Sequence, residues 1–200
     1  MTRYYERISG SMAIKQLAVI GSARLTDEKI IAISREVGQI IAKMDANLVC
    51  GGLGGVMLES CRGFKNVESA GRTVGVLPSY DASSANEYID VVIPTGLDVG
   101  RNQIVVASAS AVIVIGGGAG TLSEIALASQ INKPILLIKN TGGWADKLTD
   151  DYLDNRKNSR IHHVDDILQL PSLLVDIVTN HHVLSGAINS GHNNESNRPR

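Results

Sequence analysis

Two glycine-rich runs are the part of this sequence whose residue types and spacing point most directly to chemistry. Gly51-Gly52-Leu53-Gly54-Gly55 and Gly116-Gly117-Gly118-Ala119-Gly120 each follow a short apolar run and precede a helical pattern. Glycine leaves backbone N–H groups uncovered, so such a loop can approach an anion closely, and the N-terminus of the next helix adds a favourable dipole. A single run could serve only a tight turn. Two runs that both precede helices predict a phosphate-binding site.

The spacing within these runs limits the class of phosphate ligand. Met57 and Ser123 stand where the dinucleotide fingerprint G-x-G-x-x-G requires its last glycine. No lysine follows Gly120, so the second run does not match the P-loop of nucleoside triphosphatases. These departures disfavour NAD enzymes and P-loop proteins. They leave a mononucleotide or another small phosphorylated ligand.

Arg101 and Glu124 are the charged residues that we expect beside the second run. A helix from Arg101 to about residue 110 spans about 15 Å, and the apolar run Ala111–Ile115 returns about 16 Å. Arg101 should therefore lie at the same edge as the second run. A cation at a helix start opposes the dipole by roughly 0.3–1 kcal/mol, which indicates an anionic partner, either a ligand phosphate or Glu124. Glu124 itself fits two interpretations, a site carboxylate or the last residue of a Thr121-x-x-Glu124 capping box.

Short apolar runs that alternate with helical patterns must position these residues. They predict an α/β fold, a Rossmann-like doubly wound parallel sheet in three layers. We predict that Thr26 caps the first helix and that the helix after the first glycine run ends near Ala70. The predicted strands are Leu17–Ile20, Asn47–Cys50, Thr73–Leu77, Val91–Ile93, Ala111–Ile115 and Ile135–Ile138.

Parallel strands end at one edge of the sheet, which is where open α/β folds bind ligands. We therefore expect the residues after four strands to converge there as binding residues: Gly21, Ser22, Gly51, Gly52, Gly54, Gly55, Thr95, Gly96, Gly117, Gly118, Gly120 and Thr121. The polar ends of the chain divide it into a flexible arm at 1–14, one nucleotide-binding domain at 15–180 and a flexible tail at 181–200.

The composition excludes several function classes. Aromatic residues make up 4% of the chain and the net charge is −1, so we expect neither a nucleic acid nor a membrane surface as partner. Two cysteines, Cys50 and Cys61, are too few for a disulfide framework, so we expect buried reduced thiols. The N-terminal residues lack the apolar segment of a signal peptide, so we expect a cytoplasmic protein. The histidine pairs 162–163 and 181–182 lack metal-ligand spacing, so we expect surface histidines and no metal site.

Four motifs carry a resemblance to a known family. In order along the chain they are Gly51-Gly52-Leu53-Gly54-Gly55-Val56-Met57, Val74-Gly75-Val76-Leu77-Pro78, Arg101-Asn102 and Gly117-Gly118-Ala119-Gly120-Thr121-Leu122-Ser123-Glu124. Together they resemble the LOG (Lonely Guy) superfamily, which older descriptions called lysine decarboxylase-like. Its well-studied members are phosphoribohydrolases that split nucleoside 5′-monophosphates into base and ribose 5-phosphate. The resemblance implies that Gly117, Gly118, Gly120 and Thr121 hold phosphate and that Arg101 and Glu124 are catalytic.

Two departures from the family pattern point to a subgroup. Gly116 stands where the family loop begins with proline, and Asn102 stands where an Arg-Lys pair has its lysine. Both are similar to a subgroup that includes a molybdenum cofactor carrier protein, which binds a phosphate-bearing pterin without transforming it. No lysine lies in a recognisable pyridoxal-phosphate context, so decarboxylation has no support.

Three functions therefore stay open at the level of sequence. The first is a nucleoside monophosphate hydrolase that needs no cofactor. The second is a non-catalytic carrier of the molybdenum cofactor (molybdopterin), and the third is a nucleotide-sensing regulator. The presence of both Arg101 and Glu124 favours the hydrolase, whereas Gly116 and Asn102 depart from the enzymatic pattern. The resemblance also implies a homodimer or homotetramer.

Overall fold

The computed structural model describes residues 16–177, which contain one seven-stranded sheet. Every pair of neighbouring strands is parallel, and the strand order is β4-β3-β2-β1-β5-β6-β7. The strands are β1 (Gln16–Gly21), β2 (Asn47–Cys50), β3 (Thr73–Leu77), β4 (Val91–Pro94), β5 (Ala111–Ile115), β6 (Ile135–Ile138) and β7 (Ile161–Val164).

Five helices connect the strands. They are α1 (Glu28–Lys43), α2 (Val56–Lys65), α3 (Asn102–Ala107), α4 (Ala119–Gln130) and α5 (Gly143–Lys147). Short 3₁₀ turns occur at Ala82–Ser84, Asp98–Arg101 and Ile167–Gln169, and residues 170–177 are helical where the described chain ends.

The core lies in two apolar clusters, one on each face of the sheet. Leu17 and Val19 of β1 point into the cluster that α1 and α2 cover, whereas Ala18 and Ile20 point into the cluster that α3 and α4 cover. This alternation is the period of two that a strand imposes on its side chains. Because both faces are buried, the central strands are almost continuously apolar. The predicted three-layer α/β fold is confirmed.

Three predicted helices differ in their bounds from the structure. The helix predicted from Arg101 to about residue 110 spans only Asn102–Ala107 and follows a 3₁₀ turn that ends at Arg101. Asp27, not Thr26, caps α1, because its carboxylate accepts the N–H of Lys29 at 2.8 Å. The second helix ends at Lys65 rather than near Ala70. Asp45 accepts the N–H of Ala70 at 2.9 Å, so this segment already belongs to the turn that leads into β3.

The seventh strand was not predicted. β7 holds His162 and His163 between two buried apolar residues, and a four-residue run with two histidines gives no clear strand signal. Both histidines are half-buried at the edge of the sheet, so the prediction of surface histidines is wrong for this pair. The predicted arm at 1–14 and the whole predicted tail at 181–200, with His181 and His182, lie outside the described residues.

The strand order reverses beside β1, and this reversal locates the candidate site. The chain builds β2, β3 and β4 successively to one side of β1 and then returns to place β5 on its other side. The loops after β1 and β5 consequently leave the sheet in opposite directions and open a crevice at the carboxyl ends of the strands. Within residues 16–177, no helix is long and apolar enough to cross a membrane.

Candidate functional site

A cleft of about 450 Å³ opens at the carboxyl ends of β1 and β5. This volume lies in the range of small-molecule and cofactor sites. The loops after β1, β2 and β5 and the first turns of α3 and α4 form its walls. The lining residues are Val19, Ile20, Gly21, Ser22, Ala23, Arg24, Gly51, Leu53, Met57, Arg101, Asn102, Gly118, Gly120, Thr121 and Glu124.

The cleft brings together eight of the residues that the sequence singled out, namely Gly21, Ser22, Gly51, Gly118, Gly120, Thr121, Arg101 and Glu124. The other six do not line it. Thr95 and Gly96 follow β4, which is separated from β1 by two strands, and Gly96 lies under the ring of Tyr80. The remaining four belong to the two glycine runs but pack against other protein atoms and do not line the cleft: Gly52, Gly54, Gly55 and Gly117.

The first glycine run forms the floor beneath Arg101. A Cβ atom at Gly51 would overlap the guanidinium group of Arg101, so glycine here leaves room for this arginine in its present position. Further along the run, the N–H of Val56 at the start of α2 donates to the carbonyl of Ser22 at 2.9 Å. The first run therefore ties the β1 loop to α2 and supports a cation above it.

The second glycine run presents backbone to the cleft. Gly116 and Gly117 are buried, whereas Gly118, Ala119 and Gly120 are exposed. A Cβ atom at Gly118 or Gly120 would meet nothing within 4 Å. Gly118 is the N-cap residue of α4, and no side chain caps this helix start. The first N–H groups of α4 are therefore available to an anion, which their dipole favours.

The capping-box interpretation of Thr121 and Glu124 is wrong. α4 begins at Ala119, so Thr121 already lies within the first helical turn and cannot be the N-cap residue. The Glu124 side chain instead turns into the cleft, where it lines the wall beside Arg101. Of the two interpretations that the sequence left open, the structure favours a cleft carboxylate.

Arg101 and Glu124 form a buried, loosely spaced ion pair. Arg101 Nη1 lies 3.8 Å from Glu124 Oε1, and the two side chains are only 12% and 9% exposed. Burial raises the pKa of Glu124 to about 7, although the charge of Arg101 acts in the opposite direction. A carboxyl group with this pKa can hold or release a proton near neutral pH, as general acids and bases do.

Asn102 joins the two helices on either side of the pair. Its Nδ2 donates to Ser123 Oγ at 2.9 Å, and Ser123 Oγ donates to the Gly120 carbonyl at 2.6 Å. The amide therefore fixes the start of α3 against the first turn of α4. Asn102 was noted in the sequence only as a departure from the family pattern, and its position in the cleft was not predicted.

Arg24 is a second lining residue that sequence reasoning missed. It is exposed in the loop between β1 and α1, two residues after Ser22. The available signal was its position just after a strand end at the predicted binding edge. Arg24, Arg101 and Glu124 are the charged residues among those that line the cleft.

The remaining candidates have structural explanations. Cys50 and Cys61 are buried free thiols, as predicted, with their sulfur atoms 3.7 Å apart. Trp144 anchors a loop, because its backbone N–H donates to the Gly117 carbonyl at 3.1 Å and its ring packs partly buried against the core. Among the described residues, no group of three or more His, Cys, Asp or Glu side chains could hold a metal ion.

Comparisons with known proteins agree with this architecture. An uncharacterized protein from Archaeoglobus fulgidus is 39% identical over 128 residues, which cover 64% of this chain and 82% of that protein. The molybdenum cofactor binding protein from Rippkaea orientalis superposes with a TM-score of 0.73 at 31% identity, over 84% of this chain and 99% of that chain. The molybdenum cofactor carrier protein from Chlamydomonas reinhardtii superposes with a TM-score of 0.70 at 29% identity, over 82% and 99%.

These similarities confirm the resemblance that the glycine-rich motifs and the departures at Gly116 and Asn102 predicted. A model of the SLOG cluster4 family matches residues 14–170, which include every strand and the whole cleft. The chain belongs to the SLOG cluster4 family.

Proposed function

We propose that this protein binds a phosphate-bearing pterin of the molybdenum cofactor type in the cleft and carries it without transforming it. The observation that carries the proposal is its similarity, at about 30% identity, to two proteins described as binding or carrying the molybdenum cofactor, each covered over 99% of its length. The sequence-based preference for a hydrolase therefore becomes the second candidate.

The chemistry of the cleft suits such a ligand. The uncapped start of α4 offers N–H groups to a phosphate, and Arg101 supplies a positive charge beside them. Leu53 and Met57 line the cleft with apolar surface that can cover a ring system. Near neutral pH Glu124 is partly protonated, so the lining residues carry a net positive charge toward an anionic ligand.

Binding of purified molybdopterin under anaerobic conditions tests the proposal. We expect wild-type protein to retain the pterin on gel filtration, and Gly118→Val to lose it because the new side chain fills the open face of the loop. The variant should stay folded, since nothing lies within 4 Å of the added Cβ. Gly100→Val is the matched control, because Gly100 is exposed, does not line the cleft and has its nearest neighbour at 3.6 Å. Retention of the pterin by Gly118→Val would contradict the proposed phosphate loop.

Hydrolysis of nucleoside 5′-monophosphates is the second candidate, and the raised pKa of Glu124 favours it. In such a reaction, water adds to C1′ of the ribose while the C1′–N bond breaks and the base leaves with a proton. A buried carboxyl group with a pKa of about 7 could deprotonate the water or protonate the leaving base. Arg101 could hold the phosphate or keep Glu124 ionised.

Release of free base from AMP, GMP and CMP distinguishes the two candidates. For a hydrolase, Glu124→Gln should bind monophosphate about as well as wild type and lose at least about 100-fold in turnover. Arg101→Ala should lose both binding and turnover. If wild-type protein releases no base but retains molybdopterin, the carrier is supported and the hydrolase fails. Tight monophosphate binding without base release or pterin retention would support the nucleotide-sensing regulator instead.

A further inference from the structure

We propose that Thr141 is a positioning residue that holds the second glycine run in the shape that receives the ligand's phosphate. Thr141 lies outside the cleft, in the turn between β6 and α5, and nothing in the sequence patterns singled it out. The inference rests on the proposed function for its effect on binding, but its structural part stands on contacts of the free protein.

The Thr141 hydroxyl joins the ends of two neighbouring strands. Thr141 is 3% exposed, and its Oγ1 accepts the N–H of Gly116 at 2.9 Å and donates to the carbonyl of Ile138 at 2.6 Å. Gly116 directly follows β5, and Ile138 is the last residue of β6. One hydroxyl therefore fixes where the glycine run leaves the sheet.

The conformation of Gly116 makes this contact necessary. Its φ is +59°, a left-handed conformation in which its N–H points toward Thr141. Proline, with φ near −65° and no N–H, could neither adopt this conformation nor make this bond. A loop that begins with proline is rigid at that point on its own, whereas this loop has a free torsion there and depends on an outside partner.

The rest of the turn clamps the same two glycines. The N–H of Trp144 donates to the Gly117 carbonyl at 3.1 Å, and the N–H of Ala145 donates to the Gly116 carbonyl at 3.0 Å. Gly143 packs so closely on Gly117 that a Cβ atom would overlap it. Gly116 and Gly117 are therefore held by α5, while Gly118 to Gly120 remain open to the cleft.

The segment between β6 and α5 is itself held by hydrogen bonds next to β6, away from the cleft. The Asp146 carboxylate accepts the N–H groups of Asn140 at 2.8 Å and Gly142 at 2.6 Å. Lys139 Nζ donates to the Ala145 carbonyl at 2.8 Å. None of these residues lines the cleft. The turn is thus a rigid support behind the loop, and Thr141 is its side-chain link to Gly116.

Thr141→Val tests the proposal, because it keeps the shape of the side chain and removes the hydroxyl. The buried N–H of Gly116 then loses its partner, which destabilises the loop in its present shape. Thr73→Val is the matched control: Thr73 is 0% exposed, and its Oγ1 accepts the N–H of Asp90 at 2.9 Å and donates to the Tyr88 carbonyl at 2.6 Å. It lies at the start of β3, where the strands have their amino ends, whereas the cleft lies at their carboxyl ends.

Amide hydrogen exchange of the free protein is the first measurement. We expect the Gly116 amide to exchange at least roughly tenfold faster in Thr141→Val than in wild type. Thr73→Val should leave it unchanged, and Thr141→Ser should restore its protection. Equal exchange at Gly116 in all variants would overturn the role of Thr141, whether or not a ligand binds.

Affinity for inorganic phosphate is the second measurement. We expect Thr141→Val to lose roughly tenfold in affinity, Thr73→Val to stay within about twofold, and Thr141→Ser to recover. Unchanged phosphate affinity in Thr141→Val would overturn the positioning role, even if the variant loses stability. If wild-type protein binds no phosphate, the proposed phosphate loop fails, and the exchange experiment still decides whether Thr141 holds the loop.

Discussion

The two glycine runs are similar in sequence but have different roles in the structure. In the first run, Gly51 lies under Arg101, and a Cβ atom at Gly55, whose φ is +64°, would overlap the backbone of Ser22. In the second run, a Cβ atom at Gly118 or Gly120 would meet nothing within 4 Å. Glycine in the first run makes room for protein atoms, and glycine in the open part of the second run leaves backbone exposed to the cleft, where we propose that the ligand binds. The same residue type therefore serves packing in one loop and an open backbone in the other.

Gly55→Val should have the largest effect and would break this comparison most directly. The side chain would require a left-handed conformation and would overlap Ser22, so we expect a loss of about 3 kcal/mol or more in the free energy of unfolding. Gly120→Ala in the second run should change that energy by less than about 0.5 kcal/mol and weaken phosphate binding. Urea denaturation with and without phosphate measures both. Equal stability losses at the two positions would show that the runs do not differ.

A second prediction concerns pH and the carboxyl group beside the second run. The pKa of Glu124 is raised from 4.5 to about 7, so between these values the folded chain keeps a proton that the unfolded chain has released. Stability should therefore fall as the pH rises through this interval, by up to about 3 kcal/mol. The contribution is fully present below pH 4.5 and lost above about 7. Glu124→Gln should lack this pH dependence, and identical pH profiles of unfolding for the two proteins would contradict the burial of the carboxyl group.

The smallest expected effect is at Arg24, at the exposed side of the cleft. Its charge faces solvent, so Arg24→Gln should weaken phosphate binding only about two- to fivefold, and high salt should remove the difference. Isothermal titration at low and high ionic strength measures this. Arg72→Gln is the control, since Arg72 is exposed just before β3 at the opposite edge of the sheet. A larger loss that persists at high salt would assign Arg24 to the ligand contact itself.

Sequence patterns predicted the central strands well because those strands are buried on both faces. The bounds of β5 and β6 match the prediction residue for residue, since uninterrupted apolar runs with short polar flanks leave little choice, and the bounds of β3 match as well. β7 escaped prediction because an edge strand needs fewer apolar residues and can hold two histidines. Thr26 and Asp27 are both good capping residues, and only the path of the chain decides between them.

The candidate site was predicted in part, because sequence gives the edge of the sheet but not the order of the strands. Arg101 and Glu124 were expected together, and the cleft contains both. Thr95 and Gly96 were expected there too, but β4 lies at the outer end of the sheet, which no local pattern reveals. Thr141 gave no signal at all, because a threonine after a strand is common and its role depends on a hydrogen bond to a residue 25 positions away.

The reversal of strand order beside β1 also has a kinetic consequence. The cleft requires β1 and β5 side by side, and their register pairs Leu17 with Ala111, residues that are far apart in the chain. Closing so long a loop is slow, because the chain loses conformational entropy before the contacts between β1 and β5 can stabilise it. During synthesis, β1 to β4 emerge before β5, so the cleft cannot form until β5 and the start of α4 have left the ribosome. Binding of the proposed ligand would therefore depend on completion of the fold, and a bound ligand would in return stabilise the folded chain against unfolding.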